Sequence, residues 1–250
     1  MRINDTINTI LNHRSIRKWS DKKINEEIEN LLYEVAMKTA TSTGMQAASI
    51  IKVDDIDKKK RIAKVCKQDY IADAPLLLVF IIDNYRNYKI VEESGQEVNY
   101  NNDVDRFFAG YTDAAIMAQN VVNAAESLGL GTVYLGSILN DVRETINILE
   151  LPKYTMPVVG LAIGYPGQEP ALKPRMDKKL RVFTNKYKKF KNYHEKLKEY
   201  DEVMNTYYDL RNSDKPLPLF TNQVVKRASS QNETRQKLLK IAKEHGFDFE

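Results

Sequence analysis

Seven consecutive apolar residues, Leu76-Leu77-Leu78-Val79-Phe80-Ile81-Ile82, follow Pro75 and stop at Asp83. A strand that alternates apolar and polar residues can keep one face in water, whereas an unbroken apolar run needs cover on both faces. Residues 75–82 are therefore read as a strand at the centre of a sheet wrapped by other elements. Three more strands are expected at residues 49–53, 132–135 and 158–163. Around them the apolar spacing predicts helices. One spans residues 25–39, capped by Asn25, with Glu26 and Glu27 at its positive end and an apolar stripe from Ile28 to Ala36. Residues 57–67 suit an exposed helix, and the Ala-rich stretch 109–127 suits a central buried one. Residues 142–149 form a helix opened by Asp141 with Glu144 in capping-box spacing. Two more are expected near 192–208 and 222–245, separated by Pro216 and Pro218. Residues 85–105 read as a long loop or a partly helical excursion. The intervals do not make a succession of parallel strand–helix–strand units, so the expected class is α+β with a mixed sheet.

Composition narrows the function classes. At 250 residues, with 42% hydrophobic and 29% charged residues, the chain has the make-up of a globular protein with a sizeable core. One cysteine, Cys66, excludes an intrachain disulfide framework and fits a reducing compartment. No apolar run reaches membrane-spanning length, and the first residues carry no apolar signal core, so the cytoplasm is the expected location and no membrane partner is expected. The net charge of +4 is uneven: residues 173–198 hold eleven Lys or Arg against two acids. That stretch could attract nucleic acid, but it lacks the signatures of known nucleic-acid-binding motifs. A solvated Lys-rich face is the preferred reading, and no nucleic-acid partner is expected.

Conventional catalytic sets are missing. His13, His194 and His245 are far apart in sequence and in no ligand-spaced pair, and no Gly-x-Ser-x-Gly elbow is present. Gly129, Gly131 and Gly136 follow a helix and lead into a strand, with the wrong spacing for a dinucleotide fingerprint. What remains is a dense basic cluster, His13-Arg14-Ser15-Ile16-Arg17, and a distant basic pair, Lys173-Pro174-Arg175. The Arg forks and the Ser hydroxyl suit a phosphate-bearing ligand. Basic groups and polar loops without an acid, base or nucleophile set are what a cofactor-driven reaction leaves behind.

In order along the chain, His13–Arg17, Ser42-Thr43-Gly44-Met45-Gln46, Tyr134-Leu135-Gly136-Ser137 and Lys173-Pro174-Arg175 resemble the FMN-dependent nitroreductase family. The likeness is to its oxygen-insensitive, NADPH-preferring nitroreductases and flavin reductases. Residues 124–131 and 160–166 add to it, and it spans nearly the whole chain. The resemblance implies a single nitroreductase domain over residues 1–250 with a C-terminal helical extension from about residue 188. It also implies a mixed central sheet flanked by helices and an intertwined homodimer with FMN at the interface. Arg14, Ser15, Lys173 and Arg175 would hold the FMN phosphate, with His13 close by, and Arg17 would lie at the pyrimidine edge of the ring. Gln68 and Tyr70 would line the flavin, and Ser42, Thr43 and Gln46 would come from the partner subunit. Tyr134, Leu135, Gly136 and Ser137 would pass beside the ring, with the Gly136 N–H at flavin N5. Arg211 and Arg235 would meet the extra phosphate of NADPH. The implied reaction is ping-pong hydride transfer from NAD(P)H to nitroaromatics, quinones or flavins, with no catalytic side chain and no metal. A dedicated NAD(P)H:flavin oxidoreductase is the alternative within the family. Met45 and the Lys215–Pro218 stretch depart from the family pattern.

Overall fold

The computed structural model describes residues 4–96, 102–209 and 215–249. Contacts within the chain divide it into two compact units, residues 1–168 with 232–250, and residues 169–231.

The first unit is built on four strands: β1 (Ala48–Lys52), β2 (Leu76–Asp83), β3 (Gly131–Leu135) and β4 (Thr155–Gly164), in the order β1-β2-β4-β3. All three strand pairings are antiparallel. The parallel component of the expected mixed sheet is confined, among the described residues, to an isolated bridge between Ser15 and Thr132. The apolar run of β2 is buried from Leu76 to Ile82, as a strand covered on both faces must be.

The first unit also holds helices α1 (Asp5–Leu11), α2 (Glu26–Met37), α3 (Ile56–Cys66), α4 (Tyr85–Glu93), α5 (Val104–Ser127) and α6 (Val142–Leu149). Helix α5 packs along β2 and α2. Its buried face is almost all small or apolar: Ala114, Met117, Ala118, Val121, Val122 and Ala125. Helix α3 is amphipathic rather than exposed, because Ile62, Ala63 and Cys66 at helical spacing enter the core. It also buries Lys59, whose ammonium donates to the Ala74 carbonyl at 2.8 Å. The excursion after β2 begins as α4; residues 97–101 of it lie outside the described part.

The second unit holds α7 (Tyr193–Met204) and α8 (Phe220–Ala228). The buried Asp201 carboxylate accepts from the Thr221 N–H at 2.9 Å and its hydroxyl at 2.7 Å, which fixes the start of α8 against α7. The helix expected over residues 222–245 is three: α8, α9 (Glu233–Gln236) and α10 (Leu238–Glu244). The break falls at Ser229–Asn232, where the Asn232 side chain caps α9 instead of continuing α8. Helices α9 and α10 belong to the first unit.

Candidate active site

The loop after α1 carries the first basic cluster. The Ile16 N–H donates to the Thr132 carbonyl at 2.9 Å, so residues 12–17 run beside the start of β3. The approach is close: a Cβ on Gly131 would meet Ile16 side-chain atoms at 2.4 Å, so only glycine leaves room there. Ile16 is buried, whereas His13, Arg14, Ser15 and Arg17 are half-buried. Arg14 donates to the Asn12 carbonyl at 3.1 Å, while its buried Nε has no partner. Among the described residues Arg17 has neither an ion pair nor a hydrogen bond from its guanidinium. Half-buried guanidinium groups with unspent donors are prepared for an anion.

Tyr134 and Leu135 end β3, and Gly136 and Ser137 open the 3-10 turn Gly136–Asp141. A Cβ on Gly136 would find nothing within 4 Å, which leaves open space over its backbone. Arg235 reaches the same point from α9, donating to the Gly136 carbonyl at 3.2 Å. Thr234 donates to the Asn140 carbonyl. Behind the turn lies Cys66 at the end of α3. Burial raises its thiol pKa, and a contact with the Ser137 hydroxyl opposes part of that rise. A buried thiol pushed upward is not a nucleophile. Gln68 and Tyr70 follow directly, with the Tyr70 hydroxyl donating to the Gln68 side-chain oxygen at 2.7 Å. Residues 13–17, 68–70, 134–137 and 235 thus belong to one unit and are tied together through β3, α3 and the 3-10 turn.

Ser42, Thr43 and Gln46 do not join that group. They lie in a tight turn in which Thr43, Gly44 and Gln46 all have positive φ, at 49°, 73° and 50°. The buried Asp113 carboxylate holds both ends of the turn, accepting from the Ser42 N–H at 2.8 Å and the Ala47 N–H at 3.2 Å. From α4, Asn87 donates to the Met45 carbonyl at 3.1 Å and Arg86 to the Gln46 carbonyl. Met45, at the tip, is 58% exposed. Along α5, Asp113 lies thirteen residues before Glu126, the residue that pairs with His13, a separation of about 20 Å on the helix axis.

Lys173 and Arg175 are exposed in the second unit, where Arg175 donates to the Lys173 carbonyl at 2.9 Å. Arg211 lies outside the described residues. Two residues escaped the sequence reading. Asp113 is an acid on the apolar face of an Ala-rich helix, a signal that could have been found. Glu126 has a partner 113 positions away, which no spacing reveals. Among the described residues no three His, Cys, Asp or Glu form a metal-holding group, and no helix is long and apolar enough to cross a membrane.

Comparison with known proteins identifies the family. The family model described as "Nitroreductase family" matches residues 10–165, and "Nitroreductase family, C-terminal domain" matches residues 173–250. The chain is 37% identical over 187 residues to the FMN reductase (NADPH) of Bacillus subtilis, covering 74% of this chain and 75% of that protein. The structure of the NADPH:FMN oxidoreductase from Vibrio harveyi, complexed with NAD+, superposes with a TM-score of 0.86 at 31% identity, over 98% of this chain and 99% of that one. Nitroreductase A from Vibrio parahaemolyticus gives 0.87 at 31% identity, over 98% and 99% of the two chains. Core strand, basic loop and C-terminal segment therefore all fall within matched regions, and the chain belongs to the nitroreductase family.

Proposed function

We propose that the protein is an FMN-dependent NAD(P)H oxidoreductase that reduces nitroaromatics, quinones or flavins. The observation that carries this reading is the pairing of unspent half-buried cations with the open space over Gly136 in one unit. A phosphate suits the Arg14 donors, and a flat ring suits a backbone that no Cβ covers. The residues present therefore fit FMN. When bound, FMN supplies two-electron hydride chemistry, taking hydride from NAD(P)H and handing it to the acceptor.

The chain's own residues bind and orient. Arg14, Ser15 and His13 hold the phosphate end, and Lys173 and Arg175 are assigned to phosphate on the resemblance alone. Arg17 would supply positive charge to the flavin ring when it is reduced. Gln68 and Tyr70 would support the polar edge of the flavin, and the Gly136 N–H would serve its reacting nitrogen, beside Tyr134, Leu135 and Ser137. The relatives named FMN reductase (NADPH) and NADPH:FMN oxidoreductase support NADPH as donor. Arg235, exposed beside Gly136, is a candidate for its extra phosphate, and Arg211 is assigned likewise on the resemblance.

The reading includes a homodimer. A turn about 20 Å along α5 from the His13 end serves a flavin site best when donated to a second copy. Val104, Phe108 and Tyr111, at i, i+4 and i+7 on α5, leave 44%, 61% and 43% of their surface exposed, an apolar face suited to a partner. A reducing cytoplasm agrees with the single unpaired Cys66.

The test is NADPH and NADH oxidation by the FMN-loaded protein with free FMN, a quinone and a nitrofuran compared side by side. Turnover dependent on bound flavin supports the reading, and preference for free FMN selects the flavin-reductase form. No oxidation with any acceptor contradicts it.

A further inference from the structure

The Nδ1 of His13 lies 2.7 Å from Oε1 of Glu126, and the Thr132 hydroxyl donates to the same oxygen at 2.6 Å. Glu126 stands in the last turn of α5, with its side chain only 11% exposed, and Thr132 is wholly buried in β3. Nothing in the proposed reaction uses this carboxylate. Its position is costly, because the last turn of a 24-residue helix is the negative end of its dipole. A half-buried acid kept there, with two donors on one oxygen, has a structural or functional task.

Its chemistry defines that task. An ionised carboxylate only accepts, so the short contact fixes the proton on Nδ1 of His13. Nε2 becomes the ring nitrogen left to meet a ligand, and the imidazole plane is locked. Thr132 completes the support: its carbonyl holds the Ile16 N–H while its hydroxyl holds Glu126. One residue of β3 thus fixes both the basic loop and the acid that orients the loop's histidine. The arrangement resembles the carboxylate–histidine pairs that orient imidazoles towards metals, applied to an anion.

We propose that Glu126 is a positioning residue for the cofactor phosphate: it holds Nδ1–H of His13 and locks the plane of the ring so that Nε2–H faces the phosphate beside Arg14 and Ser15, and thereby sets preference for FMN over unphosphorylated riboflavin. This rests on the FMN reading above. Bound between a carboxylate and a phosphate, the ring donates from Nδ1 to one and from Nε2 to the other, and loss of either anion leaves it free to turn. The isoalloxazine end of the site is untouched.

The experiment measures dissociation constants of FMN and riboflavin by flavin fluorescence quenching for the wild type, Glu126→Gln, His13→Ala and the double variant. Thermal unfolding of the apoproteins is followed in parallel. Glu126→Gln should weaken FMN by about tenfold, the scale of one charge-assisted hydrogen bond, and leave riboflavin within twofold. In the His13→Ala background the same substitution should have no further effect. Thr132→Val, which removes only the hydroxyl, should shift FMN binding in the same direction. Equal losses for FMN and riboflavin, full additivity with His13→Ala, or an unchanged FMN constant in a folded Glu126→Gln would overturn the proposal. Failure of the wild type to bind either flavin would instead strike the FMN reading itself.

Discussion

Gly131 and Gly136 stand five residues apart on β3 and the turn that follows it, yet a methyl group added to each has opposite consequences. At Gly131 the new carbon would fall 2.4 Å from Ile16, inside the packed join between β3 and the basic loop. Gly131→Ala should destabilise the fold by about 1–3 kcal/mol, measured by chemical unfolding. At Gly136 the carbon meets nothing within 4 Å and the backbone is not left-handed. Gly136→Ala should leave stability within about 0.5 kcal/mol while weakening FMN on the order of tenfold, because the methyl enters the open space that the proposal gives to the ring. Unchanged flavin binding in Gly136→Ala would place the ring elsewhere. The contrast also marks what the sequence could reveal at this scale. Both glycines sit in recognisable motifs, but only coordinates separate a glycine needed for packing from one needed for a ligand.

At the scale of elements, the turn Ser42–Ala47 depends on α5 through Asp113. Asp113→Asn retains one acceptor but places an amide where a backbone N–H must be satisfied. It should cost about 1–3 kcal/mol and accelerate hydrogen exchange at the Ser42 and Ala47 amides, read by mass spectrometry. Exchange unchanged at both amides would show that Arg86 and Asn87 suffice to hold the turn. The elements themselves were unevenly legible. The run Leu76–Ile82 read as a covered strand and the longer Ala-rich stretch as a central helix, because burial on all sides leaves continuous apolar sequence and length separates the two. The segment after residue 220 was harder. Val224, Val225, Leu238 and Ile241 suggest one long apolar face, but Ser229-Ser230-Gln231-Asn232 favours a stop and a new cap. That competition is local and energetically small, so tertiary packing decides it. Asp113 stood out as an acid on an apolar helix face, but its partners, like that of Glu126, lie far away in sequence.

For the whole chain, acid lability has an identifiable source. Burial, with help from Lys153, holds the His245 imidazole below its ordinary range, against a smaller upward effect from a hydrogen bond with Pro152. Arg143 also lowers it and Glu244 raises it. The unfolded chain therefore gains a proton more readily than the folded one as the pH falls through about 6.5. Stability should decline from there until the pH passes below the folded value, and His245→Gln should flatten that decline in unfolding midpoints taken between about pH 7 and pH 5. An unchanged slope would assign acid lability to other groups. The proposed homodimer is testable by light scattering. A dimer that Phe108→Glu converts to monomer, with loss of bound FMN, would agree with a site completed by the donated turn.

The central claim is that this chain carries FMN and passes hydride from NADPH through it. The visible absorption spectrum of the protein, purified and then titrated with FMN, tests that claim most directly. The account predicts flavin bands at one FMN per chain that bleach under anaerobic addition of NADPH and return when a nitrofuran or quinone is added. Protein that stays colourless after FMN titration, or bound flavin that NADPH and NADH both leave oxidised, would contradict it.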